Sequence, residues 1–386
     1  MFAQVTKIKQ HQQGLSTLLK HKQKLQLQGA YPLARLHVIE SQLLNHLYVL
    51  SDLKNDAPKD YFAGKNLAQV SHLTREEFIK LALENPQYSD IYTLVLQKLN
   101  FVNLSNTADT FFTLKASDQL SHYSILKSLP SQWQLEDNKS LRNSIINNKE
   151  VLDESATTIL FSQSMSESEQ NNAMSHTNFN IAYPALVNAY CNNVVDLSDI
   201  LFRVFAKTDD ESHKAKLLAL AGLINDPRWD ETCLLFCTAN PNQCQYVLTH
   251  FVYKRALPLF IKLMGQGVTQ KPAYAAWLAI TARELAKADK IALIEPVASQ
   301  KVHSGINLDD AEHARQAFAL VSGEQLLNGI SFTSKNAKQK LKSLAGTVVQ
   351  RVLAPQFEQQ KACALYHVLL SAEQWQTYIE ESLSAE

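Results

Sequence analysis

Four residues in the second half of the chain have side chains that can ligate zinc. They are Cys233, Cys237, Cys244 and His250, in the spacing C-x3-C-x6-C-x5-H. A zinc site needs four ligands that converge at about 2.0–2.3 Å from the metal, but the Asn240-Pro241 break separates the first two cysteines from the other two residues. Structural zinc sites usually show a tighter C-x2-C spacing, and a buried free Cys is a common small core residue. We therefore expect these thiols to pack in the core, and we assign no metal-binding residue.

Motifs of catalysis and nucleotide binding are missing from the sequence. It has no G-x-S-x-G, no H-E-x-x-H and no S-x-x-K flanked by supporting elements. Gly265-Gln266-Gly267 lacks the remaining glycines and the Lys-Ser/Thr of a phosphate-binding loop. Twelve histidines are scattered along the chain, and their spacing does not indicate which of them meet in space. We predict a protein that is not an enzyme, with no catalytic residue, no cofactor-binding residue and no cofactor.

Two stretches of the chain are rich in lysine. The first has Lys20, Lys22 and Lys24 around His21. The second is predicted to be one helix with an apolar side formed by Leu341, Leu344, Val348 and Val352. Its basic residues are Lys335, Lys338, Lys340, Lys342 and Arg351. A basic helix can bind phosphates or an acidic protein surface, but no aromatic residues are interleaved here to stack on bases. We therefore interpret both stretches as solvated helix faces.

Charge and apolar runs limit where the protein acts and what it binds. Lys plus Arg and Asp plus Glu are both 37, so no global field draws the chain toward nucleic acid or an acidic membrane. No run approaches the ~18 apolar residues of a membrane span, and the N-terminus lacks the apolar core of a secretory signal. The five cysteines are an odd number, which is typical of reduced thiols in the cytosol. These features predict a cytoplasmic protein without a membrane span, whose partner is a protein rather than a nucleic acid.

The elements that position these residues are predicted to be helices. Gly is only 10 and Pro only 11 of 386 residues, which disfavours turn-rich β-sandwiches and favours an all-α fold. The segment from about Tyr31 to Leu53 has an apolar face whose members recur at every third or fourth position, which predicts an amphipathic helix. The residues of that face are Leu36, Ile39, Leu43, Leu47 and Leu50.

Further helices are expected between this segment and the middle of the chain. Thr74 and Glu77 form a capping box at the start of one helix, and Tyr88–Phe101 continues the helical pattern. Phe111–Leu129 and Leu141–Leu152 have apolar residues at usable spacing, but Ser, Asn and Asp interrupt them repeatedly. The sequence therefore leaves the helix boundaries in those two stretches open.

A polar stretch divides the chain. Residues 162–180 read SQSMSESEQNNAMSHTNFN, with too few apolar groups to offset the entropy of ordering. We interpret residues 161–180 as an exposed polar connection. It would join an N-terminal helical domain, residues 1–160, to a HEAT-like helical repeat domain, residues 181–386. The alternative is a polar helix end inside one continuous array.

The second half of the chain repeats itself at a constant offset. The pairs that align at this offset are Leu220 with Leu248, Leu223 with Phe251 and Leu235 with Leu263. One helix-turn-helix unit needs roughly the length of this offset, and a single pair cannot bury its apolar face without a neighbour. Asn225-Asp226-Pro227-Arg228 makes the turn of the first unit. The pattern predicts an α-solenoid of HEAT-like helix pairs.

A second self-match joins AYAAWLAITA (Ala273–Ala282) to ARQAFALVSG (Ala314–Gly323). Small residues at matching positions let adjacent helices approach closely, and an aromatic residue fills the gap between layers. Two Ala-rich helices can also match by chance. Two more helices, Leu341–Leu353 and Cys363–Ile379, are expected to cap the end of the array.

Three stretches resemble known families. Leu33–Leu50 has the pattern L-x-x-L-x-x-I-E-x-x-L-x-x-H-L-x-x-L, with Glu40 and His46. It resembles the opening of a family of bacterial HEAT-like repeat proteins of unknown biochemical role, often encoded near type VI secretion genes. ARQAFALVSGEQL (Ala314–Leu326) is similar to that family's recurrent Ala-x-x-Ala-Phe-x-x-Ile-Thr-Gly-x-x-Leu segment, and AYAAWLAITA is a looser copy. LLALAGLINDPRWDETCLL resembles the Leu-Gly-Asp-Pro unit of HEAT repeats of the phycobilin-lyase type.

The resemblance implies a scaffold and supplies no catalytic residue. We therefore expect a non-enzymatic helical-repeat scaffold or adaptor that binds a protein partner, with a type VI secretion component as the implied partner. The partner-binding residues are unknown from sequence. Two alternatives stay open: a HEAT-like enzyme, either a lyase or a nucleic-acid-modifying one, and a toxin-neutralising binder of the immunity type. A nucleic-acid enzyme should have a basic, aromatic-rich groove, and the even charge balance argues against one.

Overall fold

The structure is a computed structural model that describes residues 2–26, 28–54, 139–149, 154–161, 164–285, 309–332, 337–357, 366 and 371–384. These residues are mostly helical, which confirms the all-α class. Their helices are α1 (Phe2–Gln26), α2 (Leu33–Lys54), α3 (Lys139–Ile146), α4 (Glu154–Phe161), α5 (Glu167–Met174), α6 (Phe179–Cys191), α7 (Leu197–Lys207), α8 (Glu211–Gly222), α9 (Trp229–Ala239), α10 (Pro241–Leu248), α11 (Leu257–Met264), α12 (Gln270–Thr281), α13 (Asp309–Ala319), α14 (Ala337–Leu341), α15 (Thr347–Leu353) and α16 (Ala372–Ser384). Their short strands are β1 (Tyr31–Pro32), β2 (Leu326–Leu327), β3 (Ile330–Ser331) and β4 (Leu344–Ala345).

Several predicted features lie wholly or partly outside the described residues. Those outside are the capping box at Thr74 and Glu77, the helices Tyr88–Phe101 and Phe111–Leu129, and Lys335. The helix predicted for Leu141–Leu152 is confirmed only in its first part, since α3 ends at Ile146. The helix predicted for Cys363–Ile379 is confirmed in its last part as α16.

The described residues fall into two compact units. Unit 1 comprises Met1–Leu27, Tyr31–Leu197 and Lys342–Glu386, and unit 2 comprises Gln28–Ala30 and Ser198–Leu341. Unit 1 therefore takes helices from both ends of the chain. The division into domains at residues 160 and 180 stays a prediction.

Unit 1 begins with a hairpin of α1 and α2, which pack against each other. Both helices bury residues at spacings of three, four or seven, which is the pattern of a helix–helix seam. These residues are Ile8, Leu15, Lys22 and Leu25 of α1 and Leu36, Glu40, Leu43, Leu47 and Leu50 of α2. Lys22 contacts Glu40 and His11 contacts His46, so the two helices run antiparallel. The helix predicted from about Tyr31 to Leu53 is confirmed as α2.

A short sheet interrupts the helix predicted for Leu341–Leu353, so that prediction is confirmed only in its last part, α15, and is wrong before it. Strand β4 pairs antiparallel with β1, which directly precedes α2. The residue after β4 is Gly346. Its φ of 127° is readily adopted only by glycine and is incompatible with a helix. The short helix α14 therefore ends at Leu341, and α15 begins at Thr347.

The polar segment 161–180 contains a helix, so an exposed connection along its whole length is wrong. At the start of α5, Glu169 N–H donates to Ser166 Oγ at 3.3 Å, and Ser166 N–H donates to Glu169 Oε2 at 2.8 Å. This reciprocal pair is a capping box. Ala173 and Met174 are buried, and α5 packs against α6. The cap and the packing offset the ordering entropy that had predicted a connection.

Six helices of unit 2 contact one another in two rows. Helices α8, α10 and α12 touch in succession, and so do α9, α11 and α13. Helices that follow each other in the chain also touch: α8 contacts α9, α9 contacts α10, and α11 contacts α12. The constant offset found in the sequence matches this arrangement, because Leu220 of α8 aligns with Leu248 of α10 in the same row. Leu235 of α9 and Leu263 of α11 also share a row, but Leu235 is exposed and Leu263 is fully buried.

The predicted turn Asn225-Asp226-Pro227-Arg228 joins α8 to α9. The Asp226 carboxylate accepts the backbone N–H of Arg228 at 2.9 Å and its guanidinium Nε–H at 2.9 Å. These hydrogen bonds hold the pKa of Asp226 at about 2. Trp229, the first residue of α9, is fully buried directly after the turn. The turn prediction is confirmed.

The two Ala-rich stretches that match each other lie in different rows. The first is in α12 and the second begins in α13. Ala273 and Ala314 are both fully buried, but Trp277 is fully buried while Phe318 is half-buried. The two stretches are therefore not equivalent members of successive helix pairs. Their shared pattern reflects small residues at two separate helix contacts.

A β-hairpin closes the C-terminal end of α12. Strands β2 and β3 pair antiparallel around Asn328 and Gly329, which have φ of 49° and 72°. Asn328 N–H donates to Ala279 O at 2.8 Å, and Gly329 N–H donates to Ile280 O at 2.9 Å. These two carbonyls lie in the last turn of α12, where the helix has no partners for them. The tight turn with positive φ thus supplies the donors that cap the helix.

Candidate functional site

A groove in unit 1 runs between α1 and α2. It has a volume of about 750 Å³, and amide and imidazole side chains form much of its lining. The lining includes Gln10, Gln13, Gly14, His21, Asn45 and His46. Such side chains both donate and accept hydrogen bonds, and a neutral imidazole also binds metal ions. The groove is therefore suited to a polar or cationic ligand.

His11 and His46 face each other beside this groove. Their Nδ1 atoms are 2.8 Å apart, and their ring centroids are 5.0 Å apart at an angle of 68°. At this distance one Nδ1 carries a proton and donates it, while the other accepts through its lone pair. Burial, and secondarily the nearby His11, lower the pKa of His46 below its usual value of 6.5. His46 is therefore neutral near neutral pH.

Gly14 makes room for the His46 ring against α1. A Cβ at position 14 would lie 2.6 Å from His46 Cε1, closer than real Cβ atoms come to a neighbour. A glycine inside a helix costs about 0.5–1 kcal/mol relative to alanine. The approach of the imidazole to the α1 backbone thus depends on a residue that the helix alone would not favour.

A buried ion pair lies in the same hairpin. Lys22 Nζ is 3.3 Å from Glu40 Oε1, and the two side chains are only 3% and 5% exposed. Glu40 Oε2 also accepts the N–H of Ala372, the first residue of α16, at 2.9 Å. Burial, and secondarily Glu40, raise the pKa of Tyr31. The pair joins three helices, so the interpretation of Lys22 as part of a solvated basic face is wrong.

The structure brings together the three cysteines of the candidate zinc site but not its histidine. Cys233 Sγ and Cys237 Sγ are 3.9 Å apart, Cys244 is hydrogen-bonded to Cys237, and all three residues are fully buried. Hydrogen bonding among the thiols, together with burial, raises the pKa of Cys237 and of Cys244. The thiols of Cys237 and Cys244 are protonated near neutral pH, so a metal ion would have to displace these protons in order to bind them.

His250 lies just after the end of α10 and contacts Tyr246 of that helix. Its Nδ1 is 2.8 Å from Tyr246 O, and the two rings meet edge to face with centroids 5.1 Å apart. In the part of the chain that the structure describes, three or more His, Cys, Asp or Glu side chains are nowhere grouped so as to hold a metal ion.

The lysine-rich stretch near the C-terminus is not one basic helix, and that prediction is wrong. Lys340 and Lys342 are exposed and precede the break at Gly346, whereas Arg351 follows it. The Arg351 guanidinium lies over the ring of Tyr366, with Cζ 4.7 Å from the centroid. A cation over an aromatic face is held there by the ring quadrupole. The basic residues therefore do not form one continuous face.

Unit 2 has exposed apolar side chains in the row formed by α9, α11 and α13, near a side-chain hydrogen bond between α9 and the turn after α11. Thr238 Oγ1 lies 3.1 Å from Gln266 Oε1, which links the end of α9 to the turn after α11. Leu235, one helical turn before Thr238, is 65% exposed, and Val268, just after Gln266 in the chain, is 75% exposed. A contiguous patch of exposed apolar side chains marks an interaction surface. We name these four residues the α9–α11 edge.

Polar side chains fix the stacking of successive helix pairs in unit 2. Arg255, before α11, donates from Nη1 to both carboxylate oxygens of Asp230 in α9 at 2.8 Å, and from Nε to Asn225 Oδ1. Asn240 Nδ2, between α9 and α10, donates to Glu211 Oε2 of α8 at 2.8 Å. A hydrogen bond between an ionised donor and an ionised acceptor is shorter and stronger than one between neutral groups. The α9–α11 edge is thus carried by a defined framework.

The groove of unit 1 is not among the features predicted from the sequence. His46 was part of the family-like pattern, but its partner His11 is 35 residues away and lies on a helix that was not predicted. The signal that could have predicted this helix was the spacing of Ile8, Leu15 and Leu25. Lys22 occupies a buried position in the same series.

No family model, no curated protein and no solved structure matches the chain. The helices of the described ranges include none that is both long and apolar enough to cross a membrane.

Proposed function

We propose that this protein is a helical-repeat scaffold of the cytoplasm that binds a protein partner through unit 2. Its helix pairs stack as a HEAT-like solenoid in this proposal. Support comes from the two rows of contacts, α8–α10–α12 and α9–α11–α13, in which each helix touches the one two places further along. Stacked pairs of this kind bury their apolar faces against each other and leave an extended surface for a partner.

The observation that carries the proposal is the exposure of Leu235 and Val268 at the α9–α11 edge. Burying a large apolar side chain fully is worth about 1.5–3 kcal/mol. Two such residues on a fixed framework supply a hydrophobic centre for an interface, which polar neighbours such as Thr238 and Gln266 complete. The neutral overall charge fits a protein partner better than nucleic acid.

The first partner to test is a component of the type VI secretion apparatus. This choice rests on the resemblance of Leu33–Leu50 and Ala314–Leu326 to HEAT-like proteins encoded near such genes. A binder of this kind needs no catalytic group, and its task would be to hold the partner in one orientation or to recruit it.

The test compares the full chain with the double variant Leu235→Asp/Val268→Asp. Partners captured by the unaltered chain are identified, purified, and measured against both proteins by calorimetry. Charges at the centre of an apolar interface should lower the affinity by tenfold or more, that is by at least about 1.4 kcal/mol.

Val195→Asp is the matched control, because Val195 is 93% exposed and belongs to unit 1. It should leave the affinity unchanged, and all variants should keep the thermal midpoint of the unaltered chain. Equal binding by the double variant and the control would rule out the α9–α11 edge as the interface. Capture of nucleic acid alone would remove the scaffold proposal as a whole.

A further inference from the structure

We propose that His11 and His46 together bind one first-row divalent transition-metal ion, such as Ni²⁺, Cu²⁺ or Zn²⁺, in the groove between α1 and α2. Each histidine would supply Nδ1, and water would complete the coordination. The site is distinct from the thiol cluster of unit 2 and does not depend on the proposed function.

The first support is the distance between the two nitrogen atoms. Imidazole nitrogens bind these metals at about 2.0–2.1 Å, so two ligands at a right angle lie about 2.9 Å apart and two tetrahedral ligands about 3.3 Å apart. The observed separation of His11 Nδ1 and His46 Nδ1 is 2.8 Å. This value suits neighbouring positions of a square-planar or octahedral ion, the geometry that Cu²⁺ and Ni²⁺ favour.

The second support is the chemistry between the rings. One proton joins the two Nδ1 atoms. A metal ion bound by both nitrogen atoms would replace this proton, would lie to one side of the line between them, and would keep the two rings together. The donor imidazole moves its proton from Nδ1 to Nε2, so both residues stay neutral and no proton is lost.

The third support is the groove itself. Its lining includes Gln10, Gln13 and Asn45 together with His46. Their amide oxygens can hydrogen-bond to metal-bound water, which orients the remaining ligands. Gly14 leaves the space that the His46 ring occupies, and any Cβ there would displace the ring. The groove thus offers both hydrogen-bonding partners for metal-bound water and the space that the His46 ring needs.

The test is titration of the full chain, prepared without a polyhistidine tag, with Ni²⁺ in a calorimeter. We expect one saturable site per chain and a higher thermal midpoint when Ni²⁺ is bound, because a ligand that prefers the folded state stabilises it. His11→Asn and His46→Asn should each weaken the affinity for Ni²⁺ by more than about tenfold. Even loss of a residue that only hydrogen-bonds to a metal ligand costs about tenfold or more in metal affinity. Electron paramagnetic resonance of bound Cu²⁺ should show two equivalent nitrogen ligands, reduced to one or none in each variant.

His37→Asn is the matched control, because His37 lies on α2 outside the groove lining, and it should bind Ni²⁺ like the unaltered chain. Gly14→Ala keeps both ligands and favours the helix, yet it should weaken binding by displacing His46. The thermal midpoint of each variant before Ni²⁺ is added verifies that it folds. The proposal is overturned by the absence of saturable binding to the unaltered chain, or by an affinity that His46→Asn leaves unchanged.

Discussion

Lys22 and Glu40 occupy positions in the α1–α2 seam that a helix pair normally fills with apolar residues. Ile8 and Leu15 precede Lys22 on α1 at heptad steps and are buried like it. Taking two charges out of water costs several kcal/mol for each ion, and only close pairing with further hydrogen bonds offsets that cost. The N–H of Ala372 on Glu40 Oε2 provides such a bond. The seam therefore depends on both charges being present together.

Lys22→Met should lower the free energy of unfolding by about 3–5 kcal/mol, because Glu40 would keep a buried charge without its partner. Chemical denaturation of the full chain measures the change. Lys24→Met is the control on the same helix, since Lys24 is exposed, and it should change stability by no more than about 0.5 kcal/mol.

Adding Glu40→Gln to Lys22→Met should recover part of the lost stability. The amide oxygen of Gln still accepts the N–H of Ala372 but carries no charge that needs a partner. A double variant less stable than Lys22→Met alone would contradict this account of the pair.

The same residues explain what sequence patterns could and could not predict about the candidate site. The apolar face of α2 is nearly continuous, and the leucine spacing predicted that helix correctly. On α1 a lysine stands at a core position, so the pattern resembles a polar surface helix. His11 and His46 meet only because α1 and α2 run antiparallel. A pairing set by tertiary packing leaves no local signal in either segment.

At the scale of elements, backbone geometry explains where the secondary structure predicted from the spacing and polarity of residues was wrong. The spacing of apolar residues from Leu341 to Leu353 suits a helix, but Gly346 adopts φ of 127° and the strand before it pairs with β1. The polar segment before α6 became helical through the capping box of Ser166 and Glu169. In both cases a single turn or cap outweighed the composition of the segment around it.

The hairpin that caps α12 provides a test at this scale. Gly329→Ala should lower the free energy of unfolding by about 1–3 kcal/mol, because φ of 72° is strained for alanine and its Cβ would lie 2.8 Å from Thr281 O. Gly267→Ala is the matched control: it has open space around the added Cβ and no positive φ. Thermal unfolding of both variants measures the difference. A smaller loss for Gly329→Ala than for Gly267→Ala would show that the hairpin does not hold the helix end.

At the scale of the whole molecule, the chain builds two compact units that the sequence did not delimit. The constant offset of the second half correctly pairs α8 with α10, because Leu220 and Leu248 are both fully buried in one row. Unit 1, by contrast, combines the first helices of the chain with α15 and α16. Contacts between the two ends of the chain, such as Glu40 with Ala372, follow from no period or local composition.

Two units with separate cores should respond separately to substitution. Lys22→Met should speed hydrogen exchange of backbone amides in α1, α2 and α16, and leave α8 to α12 unchanged. Gly329→Ala should do the reverse, since its contacts lie in unit 2. Local openings expose only the amides of the cooperative unit in which they occur, and exchange measured by mass spectrometry resolves the two sets of peptides. If each substitution sped exchange in both sets alike, the units would unfold as one cooperative block, and residues of unit 1 would then also control the framework that carries Leu235 and Val268.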